Sequence, residues 1–134
     1  MIAPGILAYV SVGVADFDRA IRFYDAVLGA LGHVRTGTWP ETGWAGWSPA
    51  AEAPRAFYIA RPFDGGAASV GNGGMVAFAV GEEALVRAAY DQGLAAGGTC
   101  EGPPGPRPQY GEGFYAAYLR DPDGNKIALV RRPD

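Results

Sequence analysis

Displaced by 66 positions, the sequence falls onto itself in residue class over most of its length. Tyr9 to Val14 then lies over Met75 to Val80, Asp16 over Glu82, Tyr24-Asp25 over Tyr90-Asp91, Leu28 over Leu94 and Gly32 over Gly98. Identity is low, but the order of apolar, acidic, aromatic and glycine positions holds. Solenoid units repeat every ~20–50 residues and stack in several copies. A longer period present twice in 134 residues is instead a duplicated half-domain.

Each half reads the same way. Residues 6–14 are apolar and β-branched, the pattern of a buried strand. Asp16 can cap a helix, because its carboxylate accepts from the unpaired N–H groups of the first turn. Phe17, Ala20, Ile21, Tyr24, Val27, Leu28 and Leu31 follow at helical spacing and make one apolar stripe. Gly32 suits the helix end, where a left-handed residue is wanted. Three shorter strands are expected near 33–38, 43–48 and 55–61.

The second half repeats this with a strand over 74–80, a helix over 82–96 and strands near 98–101, 113–120 and 125–131. Gly93 weakens that helix by about 1 kcal/mol against alanine. Asp121-Pro122-Asp123-Gly124 is a tight-turn sequence and should join the last two strands as a hairpin. Residues 1–134 thus read as one α+β domain. It has a βαβββ module over about 4–64, a glycine-rich linker over about 64–73 and a second module over about 74–132. Two strongly twisted sheets can then combine into one curved mixed sheet around a cleft.

The formal charge of −3 and the scattered arginines give no basic face for nucleic acid. No run reaches the ~20 apolar residues of a membrane span, and no signal segment is visible. A soluble cytoplasmic protein is expected, with no membrane or nucleic-acid partner. One cysteine, Cys100, rules out an internal disulfide, and its place at a strand start suggests a buried, inert thiol.

Three stretches carry a resemblance. They are Val10 to Asp16 running into Ala20 to Leu28, then Val76 to Val80, then Phe114 to Ile127. In order and spacing they resemble the vicinal oxygen chelate superfamily, which holds the glyoxalases, bleomycin-resistance proteins and extradiol dioxygenases. The chain looks most like its small bacterial, lactoylglutathione-lyase-like members. The resemblance implies paired βαβββ modules, a homodimer and a small-molecule ligand in the curved sheet.

In metal-using members of that superfamily, the first, fourth, fifth and eighth strands each offer one ligand. Carried over, those positions are Tyr9, Phe57, Met75 and Ala128; a fourth-strand alignment displaced by one or two residues admits Tyr58. Divalent metals want imidazole nitrogen or carboxylate oxygen, and none of these residues supplies either. His33, the only histidine, sits at the end of the first helix and reads as structural or solvated. No metal and no cofactor are therefore expected, and the metal-dependent chemistry of the superfamily is not.

The cleft that remains is mostly apolar. Tyr9, Phe57, Met75 and Ala128 form its floor, and Trp39, Trp44, Trp47 and Tyr115 are available to stack on a flat ligand. The proline-rich stretch from Pro103 to Gly113 reads as a loop bearing Glu112, Arg107 and Tyr110. Glu112 could act as a general base and Arg107 as an anion clamp. Two function classes stay open: a metal-free binder of a small hydrophobic or aromatic molecule, and a divergent lyase- or dioxygenase-type enzyme with relocated chemistry.

Overall fold

Asp16 behaves as its side chain demands: its Oδ1 accepts from the Arg19 N–H at 3.0 Å and opens a helix. In the computed structural model, which describes residues 5–133, the first module runs β1 (Val10–Gly13), α1 (Phe17–Ala30), β2 (Val34–Trp39), β3 (Trp44–Ser48) and β4 (Phe57–Ala60). The second runs β5 (Val76–Ala79), α2 (Glu83–Ala95), β6 (Thr99–Pro106), β7 (Tyr115–Arg120) and β8 (Lys126–Arg131). Each half forms its own four-stranded mixed sheet, in the orders β1-β4-β3-β2 and β5-β8-β7-β6. The first strand of each module pairs in parallel with the last, Val10 against Phe57 and Val76 against Ile127. The other neighbours are antiparallel. This is the duplicated βαβββ architecture that the repeat implies. No helix of the described residues is long and apolar enough to cross a membrane.

Two local expectations need correction. β6 extends to Pro106, so the first part of the proline-rich stretch is strand rather than loop. β6 is an edge strand with two register shifts. There, prolines remove N–H groups that no central ladder requires. Cys100 is exposed on β6, not buried.

The two halves share one core. Phe23, Tyr24 and Val27 of α1, Val86 and Ala89 of α2, and Ile59, Leu119, Ile127 and Leu129 of the strands are all essentially inaccessible. Each large apolar side chain so buried contributes roughly 1.5–3 kcal/mol. Gly93 explains itself in this packing. A Cβ there would meet Leu119 Cδ1 at 2.7 Å and Val27 Cγ2 at 3.0 Å, so its absence lets α1 approach α2.

Gly98 is tighter still. A Cβ would stand 2.6 Å from Phe23 Cε1, 2.9 Å from the Gly93 carbonyl oxygen and 3.0 Å from that of Arg120. Backbone atoms cannot swing away. Gly98→Ala should therefore lose about 2–3 kcal/mol by overpacking, read as a lowered denaturation midpoint.

The Asp121–Gly124 turn does more than close a hairpin. Asp123 Oδ1 accepts from the Ala15 N–H at 2.8 Å and from Arg19 Nη2 at 3.2 Å. Asn125 Nδ2 donates to the Gly13 carbonyl at 2.9 Å. The last hairpin is thereby tied to the start of α1, module to module.

Candidate functional site

Side chains alternate across a strand, so each sheet has a face against its helix and an open face. In the first sheet Val10, Val12, Ala45, Trp47, Phe57 and Ile59 turn toward the core. Tyr9, Trp44 and Tyr58 gather on the other side: Tyr58 meets Tyr9 edge-on at 5.1 Å and Trp44 at 5.6 Å between ring centres. Gly46 makes room beneath the Tyr58 ring, where a Cβ would lie 2.7 Å from Cε1. Trp39 is on this face too, with the Arg55 guanidinium 4.9 Å from its ring.

This phase decides which aromatics of β4 and β7 reach the open faces. Phe57 is 3% exposed and packs on Tyr24, Trp47 and Phe78; the residue of β4 on the open face is Tyr58. Tyr115 faces α2, where its hydroxyl accepts from Arg87 Nη1 at 3.1 Å; the open-face aromatic of β7 is Tyr118. Ala128 is fully buried in mid-strand, paired with Ala77 and Tyr118.

A pocket of about 320 Å³ opens where the beginnings of β1 and β4, the end of α1 and the edge of β5 converge. Its walls include Tyr9, Leu28, Trp47, Phe57, Met75 and Phe78. Four residues expected in a cleft, Tyr9, Phe57, Met75 and Trp47, are thus brought together; Ala128, Trp39 and Tyr115 are not among its walls. Tyr9 and Met75 are half exposed at its mouth. Trp47 is locked in place, since its Nε1 donates to Asp25 Oδ1 at 3.1 Å and Asp25 is held in turn by Arg35 at 3.0 Å. Asp25 was invisible as a positioning group from sequence, where it is one more acid on a helix. The polar residues of the wall are His33 and Ser48. The Ser48 hydroxyl is shared with Thr36, and His33 Nδ1 is buried without a protein partner.

Glu112, Arg107 and Tyr110 lie away from this pocket, Arg107 and Tyr110 beside the open face of the second sheet. Glu112 is exposed and makes no side-chain hydrogen bond among the described residues. At the positions where the resemblance would put the superfamily's ligands, the side chains are a phenol at Tyr9, a thioether at Met75, a methyl at Ala128 and, on β4, Phe57 or Tyr58. Among the described residues, no three His, Cys, Asp or Glu side chains come together.

The sequence from 6 to 129 matches the family model of the Glyoxalase/Bleomycin resistance protein/Dioxygenase superfamily. The chain belongs to that superfamily. A glyoxalase/bleomycin resistance protein of known structure from Albidiferax ferrireducens is similar at 39% identity, with 96% of this chain and 100% of that one covered and a TM-score of 0.82. A glyoxalase-related enzyme from Fulvimarina pelagi shares the fold at 22% identity, 95% and 88% coverage and a TM-score of 0.71. So does a lactoylglutathione lyase from Agrobacterium tumefaciens, at 18% identity, 96% and 94% coverage and a TM-score of 0.65. No curated protein matches. The described residues hold both βαβββ modules in the order given above.

Proposed function

We propose that this superfamily member is a metal-independent binding protein for a small, uncharged hydrophobic or aromatic molecule, held in the pocket between Tyr9, Phe57, Met75 and Trp47. The observation that carries the reading is the pocket itself. Its volume of about 320 Å³ lies within the usual ~300–1,000 Å³ of small-molecule sites, and its walls are apolar with few polar groups. A phenol, a thioether, a methyl and a phenyl or second phenol (Phe57 or Tyr58) do not fit a divalent cation that wants imidazole or carboxylate. No step through a metal is derived for this chain.

A thermal-shift screen of small neutral aromatics tests the reading. Ligands of one or two rings should raise the melting temperature and quench tryptophan fluorescence, since Trp47 forms part of the wall. A screen in which no such molecule stabilises the protein contradicts it.

We further propose that the protein works in the cytoplasm as a homodimer. The exposed thiol of Cys100 suits a reducing compartment. β1 and β5 are unpaired sheet edges, and Ile6, Leu7 and Phe63 are strongly exposed, which a second copy would cover. Light scattering on the eluted protein should give twice the chain mass; a monomer at tens of micromolar contradicts the dimer.

A further inference from the structure

We propose that the open face of the second sheet binds a small planar aromatic anion, an aryl carboxylate, received beside Tyr118 by Arg107 and Lys126. Met75 borders both cavities, but neither cation lines the apolar pocket, so the charge that would select this ligand lies only here. Both line a broad depression of about 620 Å³ on the second module.

Its construction starts from the alternation of β7, which turns Tyr118 outward. The Arg107 guanidinium carbon and the Lys126 ammonium nitrogen each lie 5.5 Å from the centre of that one ring. Both cations border one ring, so an anionic group seated beside that ring is attracted by both. Neither has a carboxylate within 4.0 Å among the described residues. The acid on this face, Glu101, is already taken: Arg120 Nε donates to it at 2.7 Å. Arg120 first, and Lys126 more weakly, hold the Glu101 carboxyl below its ordinary range, so it stays paired rather than protonated. Three cations and one carboxylate leave a local surplus of positive charge on a protein whose formal net charge is −3.

Arg107 is also preorganised. Its Nη2 donates to the Pro103 carbonyl at 2.7 Å and its Nη1 to that of Gly105 at 2.8 Å. Gly102 clears the space beneath, since a Cβ there would press on Tyr118 Cδ2 at 3.0 Å and on Arg107 Nη2 at 3.3 Å. Tyr110 and Phe114, edge to face at 5.4 Å, supply an aromatic wall at the rim. A flat ring bearing one negative group matches this combination of charge and π-surface.

The test uses naphthoate against its neutral counterpart, naphthalenemethanol, by calorimetric titration of the full chain. Naphthoate should bind at least ten times more tightly than the alcohol at low salt, and the difference should shrink as ionic strength rises. Lys126→Met keeps the stem on Tyr118 and should weaken naphthoate about tenfold while leaving the alcohol unchanged; Arg107→Met should do the same. The salt dependence of the unmodified protein needs no variant and stands if either variant folds poorly. Equal affinity for acid and alcohol, no binding of naphthoate, or salt-independent binding overturns the proposal. Failure of the neutral alcohol alone to bind would count against the apolar pocket and not against this site.

Discussion

Replacing Asp121 by alanine is expected to lower stability by about 3–5 kcal/mol. Asp121 is 3% exposed and every one of its carboxylate bonds is internal. Oδ1 accepts from the backbone N–H groups of Asp123 and Asn125, both at 2.9 Å. Oδ2 accepts from the Tyr24 hydroxyl at 2.7 Å and from Asn125 Nδ2 at 3.0 Å. Alanine would strand the Tyr24 hydroxyl in the core and loosen the turn that ties β8 to the start of α1. Thermal unfolding should show a drop of roughly 10 °C or more, and a drop within a degree or two of the parent would contradict this role.

The same pair predicts behaviour in alkali. Burial first, and the Asp121 carboxylate second, push the Tyr24 hydroxyl well above the ordinary tyrosine value. Below about pH 10 folded and unfolded chains both hold this proton, and the contribution is complete. Above that the unfolded chain loses the proton while the folded chain keeps it. Stability therefore falls with rising pH, by up to about 1.4 kcal/mol per unit for this group. Tyr24→Phe should start lower and lose less stability between pH 9.5 and pH 11, in denaturant titrations compared at each pH. Parallel curves for the two proteins would contradict the assignment.

The second large effect is on binding. Tyr9 and Met75 stand at the pocket mouth, 57% and 49% exposed, so truncating them leaves the core intact. The double variant Tyr9→Ala/Met75→Ala should weaken a neutral aromatic ligand about 30- to 100-fold, equivalent to ~2–3 kcal/mol of lost apolar contact. Its melting temperature without ligand should stay near that of the parent. Unchanged affinity in the double variant would move the site elsewhere.

The duplicated fold was legible because a 66-residue repeat of residue classes records the module twice. Helix α1 was legible from Asp16 to Gly32, because cap, stripe and terminator agree. The phase of the short strands was not. β4 reads Phe-Tyr-Ile-Ala and β7 reads Tyr-Ala-Ala-Tyr-Leu-Arg, apolar or aromatic on both faces, so alternation gives no sign of which side meets the helix. Hence nothing in the sequence separates Phe57, which reaches the apolar pocket from the core side, from Tyr58 on the open face, or Tyr115 against α2 from Tyr118 on the open face. The buried role of Asp121 was hidden for another reason. A turn sequence reports its backbone, not that its first carboxylate will receive a tyrosine 97 positions away.

The most direct test of metal-independent binding is a calorimetric titration of one neutral aromatic ligand into the protein before and after exhaustive chelation, with elemental analysis of both samples. Binding should be unchanged by chelation, with no divalent metal approaching one per chain in either sample. Stoichiometric zinc, nickel, manganese or iron, or a ligand affinity that vanishes on chelation and returns with metal, would contradict it.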